Sequence, residues 1–153
     1  MCQQSVMQIL LVVLAVLAGA TIPIQAGMNV QAAKSLPSAV HASMLSFLVG
    51  TATLVVVCLG MRTPIPKAEQ IAAMPWWAWG GGLIGAGFVA SAVFLSPRLG
   101  VLLFLAAAIL GQMVASTAID HFGWVGLEAR PVSMGRWVGV GLMLAGVACI
   151  KWL

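Results

Sequence analysis

The sequence predicts an all-α integral membrane protein with five transmembrane helices, and three observations carry that reading. First, the ten charged residues of the 153-residue chain, seven basic and three acidic, stand almost entirely at the breaks between five uncharged runs. The runs cover residues 1–33, 35–61, 70–97, 99–119 and 137–150. Second, four of them reach the roughly 20 apolar residues that cross the ~30 Å hydrocarbon layer. The fifth reaches it with its flanks, because Arg136 and Lys151 can extend their stems to the headgroups, so 134–151 spans. Third, only 7% of residues are charged and 62% are hydrophobic, where a soluble domain carries about 25% charge. A mean hydropathy of +1.11 agrees.

The predicted spans are 6–33, 37–60, 75–96, 99–119 and 134–151, joined by loops too short for an extramembrane domain. The chain therefore reads as a single transmembrane domain over 1–153, placed in the cytoplasmic membrane. The first stretch, ending at Ile24-Gln25-Ala26, has the length and small-residue end of a signal peptide. Its first basic residue is Lys34, however, beyond the apolar stretch rather than before it. Cys58 and Cys149 sit among aliphatic residues, where a thiol behaves as a small hydrophobe. They imply neither a disulfide nor a metal site, and no cofactor is expected. Nucleophile, base and metal-ligand groupings are missing, so the chain is not expected to be an enzyme. Its seven basic residues are spread over two faces, so the pI of about 9.5 reflects scarce acids and not a nucleic-acid patch.

Five spans put the termini on opposite sides, the amino-terminal side A and the other side B. Side A receives Arg62, Lys67, Arg130 and Arg136; side B receives Lys34, Arg98 and Lys151. Orientation follows excess Lys and Arg in the cytoplasmic loops, and four against three decides little. Either the first helix or a partner orients the chain, or copies insert both ways and pair head to tail about a two-fold axis in the membrane plane.

Span one is on the order of 40 Å long at 1.5 Å per residue, so it must tilt, bend or project. Pro23 is the expected bend and hinge, since it lacks a donor and crowds the carbonyl of Gly19. Thr21, Gln25 and Asn29 follow at intervals of four and share a face. These amides either hold helices together or line a cavity. Span two carries Ser46 and Gly50 on a small-residue face that permits close helix approach, and His41 at its B-side flank. A polar linker, 62–70, follows.

Span three opens with Trp76, Trp77 and Trp79, suited to the headgroup level. Gly81 and Gly85 then form a small-xxx-small pair. In span four, Gln112, Ser116 and Asp120 recur every four positions and point one way. Asp120 and His121 close this helix, where an ionisable pair can gate an opening or accept a proton. As neighbours they diverge by roughly 100° and form no ready dyad. Span five, with Gly135, Gly139, Gly141 and Ala145 and no strongly polar residue inside, suits an oligomer or bundle contact.

Several segments carry a resemblance: PIQAGMN at 23–29, SFLVGT at 46–51, PWWAWGGGLIGA at 75–86, GQ at 111–112 and IDHFGW at 119–124. In these, and over nearly all its length, the chain resembles the YdcZ-type family of the drug/metabolite transporter superfamily. The resemblance implies a half-size unit similar to one repeat of ten-span members, working as an antiparallel dimer with itself or with a homologous partner chain. It differs from the small multidrug resistance branch, which depends on a glutamate in the first span; here that span has no acid. Proton-coupled exchange of organic cations by that mechanism is therefore not implied.

The resulting expectation is a transporter of a small molecule by alternating access. Gln25, Asn29, Gln112 and Ser116 line the substrate site, Asp120 and His121 stand at its mouth for gating or ion coupling, and Pro23 supplies the bend. The competing class is a non-transporting membrane assembly subunit whose amides only hold helices together.

Overall fold

A computed structural model describes the backbone of residues 2–153 and the side chains from residue 6 onward. Its six α-helices are α1 (Cys2–Lys34), α2 (Ala39–Gly60), α3 (Ala68–Ala72), α4 (Gly80–Leu99), α5 (Val101–Phe122) and α6 (Met134–Trp152). Short 3-10 turns at Trp76–Trp79 and Trp124–Gly126 precede α4 and follow α5. Among the described residues there is no strand. Among the described residues five segments are long and apolar enough to cross a membrane: Val6–Lys34, Ala39–Gly60, Trp76–Leu99, Val101–Phe122 and Met134–Trp152. The five expected spans are all present, the third and fourth ending three residues later than the sequence suggested. Pro97 marks an end for span three because proline disfavours helix in the residue before it. The helix nevertheless runs through Pro97 to Leu99, and the break falls at Gly100, whose φ of +79° is open to glycine.

The chain divides into two compact units, Met1–Arg98 and Leu99–Leu153. In the first, α1 packs against α2. The buried residues of these helices are small, Ala26 and Asn29 on α1 and Ala42 and Ser43 on α2, which permits close backbone approach. The connection is only four residues long, 35–38, and the Ser35 amide donates to the Ala32 carbonyl at 3.1 Å. Helix α1 continues through Pro23 as one element. At the far end of α2 the chain leaves through a Schellman arrangement. The Thr63 amide donates to the Cys58 carbonyl at 3.0 Å, the Arg62 amide to Leu59 at 3.1 Å, and Arg62 takes the left-handed position with φ 52°.

Glycine faces behave differently from their sequence reading. A Cβ added at Gly50, Gly81, Gly82, Gly139 or Gly141 would meet nothing within 4 Å, whereas one at Gly85 would touch the Phe47 ring at 3.7 Å. Within this chain Gly85 therefore receives an aromatic ring from α2, and the remaining small faces stay uncovered.

In the second unit α5 packs against α6. Helix α5 ends at Gly123, with φ 65° and its amide donating to the Ile119 carbonyl. A Cβ there would lie 3.0 Å from the Leu127 carbonyl oxygen and 3.2 Å from the Ala129 Cβ, so glycine is required both for its φ and for space. Val125, also left-handed at φ 60°, is unusual for a β-branched residue. The loop 123–133 thus folds back onto the helix it leaves, and the Arg130 amide donates to the Asp120 carbonyl at 2.6 Å.

Candidate functional site

Asp120 lies two residues before the end of α5 and Arg136 two residues after the start of α6. The folded-back loop brings them together. The Arg136 Nη1 donates to the Asp120 Oδ2 at 3.2 Å, with the side chains 44% and 42% exposed. Exposure of that order makes the pair weak, on the scale of about 0–1 kcal/mol. A pocket of about 340 Å³ opens beside it, lined by Met113, Ser116, Thr117 and Asp120 of α5 and by Arg136, Gly139 and Val140 of α6. The Ser116 and Thr117 hydroxyls both donate to the Met113 carbonyl, at 3.0 and 2.7 Å. Their protons are therefore committed to the helix, and Arg136 is the pocket's charged donor.

His121 faces elsewhere. It lines a second pocket of about 290 Å³ with Thr117, Ala118, Phe122, Val132 and Trp137. Its ring meets Phe122 edge-on at 4.8 Å, and Phe122 stacks on Trp124 at 5.1 Å. The divergence expected of neighbouring helix residues thus puts Asp120 and His121 in separate pockets, with Thr117 in both walls.

Gln112 is exposed and lines neither pocket. Its Cα stands ten residues before the end of α5, about 15 Å along the axis. In the first unit Gln25 is likewise exposed, nine residues from the end of α1, or about 14 Å. Asn29 is buried at 8% exposure, and the Thr21 hydroxyl is occupied by the Ala18 carbonyl at 2.7 Å. The polar face of α1 therefore splits: Asn29 goes into the chain's own packing and Gln25 stays open.

The first unit also holds an apolar groove of about 590 Å³ between α2 and α4, with Ser43, Met44, Phe47, Leu83, Gly87 and Ala90 among its walls. Sequence reasoning missed this groove, having singled out Ser46 and Gly50 on α2, neither of which lines it. It also missed Arg136 as a site residue, reading it as a headgroup anchor. The available signal was that Asp120 and Arg136 carry opposite charge at the two ends of one loop. Among the described residues no group of three His, Cys, Asp or Glu side chains is placed to hold a metal ion. The basic residues at the opposite ends fold over rings of their own helices: the Arg98 guanidinium lies 3.9 Å from the Phe94 ring centre and the Lys151 ammonium 4.6 Å from that of Trp152.

Comparison with known proteins returns one family. Residues 10–149 match the sequence profile described as "Putative inner membrane exporter, YdcZ". No protein of curated function matches the chain, and no solved structure matches it.

Proposed function

The chain belongs to the YdcZ family, a multi-pass inner-membrane family described as exporters, and from that premise we propose that it exports a small molecule by alternating access as an antiparallel dimer. The observation that carries this reading is the exposure of Gln25 and Gln112. Each stands about 15 Å from a helix end, near the depth of the bilayer centre for a ~30 Å core. An amide facing hydrocarbon there is costly unless it meets a partner or water, and both side chains are exposed among the described residues. A cavity completed by a second copy satisfies both. The uncovered glycine faces of α4 and α6 offer surfaces for that copy, and the four-to-three distribution of basic residues suits insertion in both orientations.

In this reading Gln25, Asn29, Gln112 and Ser116 serve the substrate path. Asn29 sets the α1–α2 contact beside it, Asp120 and His121 stand at its mouth, and Pro23 loosens the backbone of α1. The test has two arms. A reporter fused at Leu153 is expected on both faces of the membrane, and a reporter confined to one face removes dual insertion. Gln112→Leu is expected to insert normally and to lose export; normal export by that variant removes Gln112 from the path. An assembly subunit without transport would instead show Gln25→Ala and Gln112→Ala weakening the dimer, with no ligand altering its melting.

A further inference from the structure

We propose that the Asp120–Arg136 pair is an exchangeable latch, in which the guanidinium leaves Asp120 to bind the carboxylate or phosphate group of a small amphipathic anion seated between α5 and α6. Five features of the pocket support it. The pair is joined by one hydrogen bond at 3.2 Å and is more than two-fifths exposed on both sides. A guanidinium has five N–H donors in a planar fork suited to oxyanions, so most of its donors remain open to the pocket. The backbone of Asp120 is fixed by the Arg130 amide on its carbonyl, which leaves the carboxylate able to swing away while the helix end keeps its place. The Ser116 and Thr117 protons are engaged with Met113, so Arg136 meets no rival donor for an arriving anion. Finally, Met113, Val140 and the open space at Gly139 provide an apolar recess for the body of the same molecule.

The inference deepens the export reading by giving the cargo a chemical class, and it rests on that reading only for the direction of travel. It is tested by binding, using purified full-length protein in maltoside micelles, which contain no phosphate or carboxylate. Benzoate and phenyl phosphate are titrated against benzamide and benzylamine at matched ionic strength, with melting temperature and apparent Kd as readouts. Benzoate and phenyl phosphate are expected to stabilise the protein, and benzamide and benzylamine are not.

Arg136→Gln is expected to weaken benzoate binding by about tenfold or more, the loss of a charge-assisted hydrogen bond. Asp120→Asn is expected to tighten it by about threefold, because an exposed competitor of the anion has been removed. Arg136→Lys retains part of the affinity and covers the case in which the Gln variant fails to fold. Gly139→Leu, which fills the recess without altering charge, abolishes it. The opposite signs at Asp120 and Arg136 are decisive, since a merely structural ion pair would not tighten binding when its acid is neutralised. Equal or same-sign effects, or stabilisation by benzylamine alone, overturn the proposal. So does an Arg136-dependent response seen only when phosphatidylglycerol is added to the micelles, which would make the ligand a lipid headgroup. Intact benzoate binding without flux in proteoliposomes would count against export and leave the latch standing. Export with no anion response would do the reverse.

Discussion

The two helix pairs, α1 with α2 and α5 with α6, both pack helix against helix and differ in how their ends are joined. The first is joined by four residues, 35–38, and its contact surface is small and nearly uncharged, Ala26 and Asn29 on one helix and Ala42 and Ser43 on the other. A short connection between helices makes antiparallel neighbours, and small residues let them approach. The second is joined by eleven residues, 123–133, and its loop end carries discrete ties: glycine at 123, the Arg130 amide on the Asp120 carbonyl, and Arg136 on the Asp120 carboxylate. Helix packing therefore holds both pairs, and the second adds a few polar contacts at its loop end. Weak, half-exposed ties at the end of a packed helix pair can change while the packing stays in place.

The largest expected effect tests what the pairs share, an open glutamine at mid-depth. Gln25→Leu and Gln112→Leu are each expected to abolish export with normal membrane insertion, measured as flux in proteoliposomes and as membrane-fraction abundance. Activity surviving in one of them would show that the two pairs do not contribute alike. Gly123→Ala is next, expected to destabilise the protein by about 2 kcal/mol or more, because a Cβ meets both an adverse φ and occupied space. Denaturation in mixed micelles checks it, and Gly50→Ala, where a Cβ meets open space, is the matched control in the first unit. Asp120→Asn should cost less than about 1 kcal/mol in the same assay, since the ion pair is half exposed. A loss of several kcal/mol would make the pair a structural brace instead of a weak tie. The smallest effect is expected at Arg62→Gly, which relieves a left-handed residue in the Schellman turn and stabilises by at most about 1 kcal/mol.

Much of this was legible in the residues. The uncharged runs located all five spans, and PIQAGMN and IDHFGW pointed to the family that the match over 10–149 establishes. The separation of Asp120 from His121 followed from helix geometry and is found as two pockets. Less was legible where a contact joins distant parts of the chain. The face carrying Thr21, Gln25 and Asn29 reads as uniform from its spacing, yet Asn29 is buried and Gln25 is open, because α2 covers only part of it. The Gly81–Gly85 pair reads as a crossing point, yet only Gly85 is met, and by the Phe47 ring.

Sequence alone determined the membrane class, the number of membrane-length helices and their approximate bounds, because hydrophobic length and charge spacing are properties of the chain in one dimension. It also determined which polar residues share a helix face, because 3.6 residues per turn fixes that without a neighbour. Only the tertiary structure decided that Asp120 faces Arg136, sixteen residues away. That pairing depends on a loop folding back through the left-handed residues Gly123 and Val125, a three-dimensional path that neither composition nor periodicity encodes.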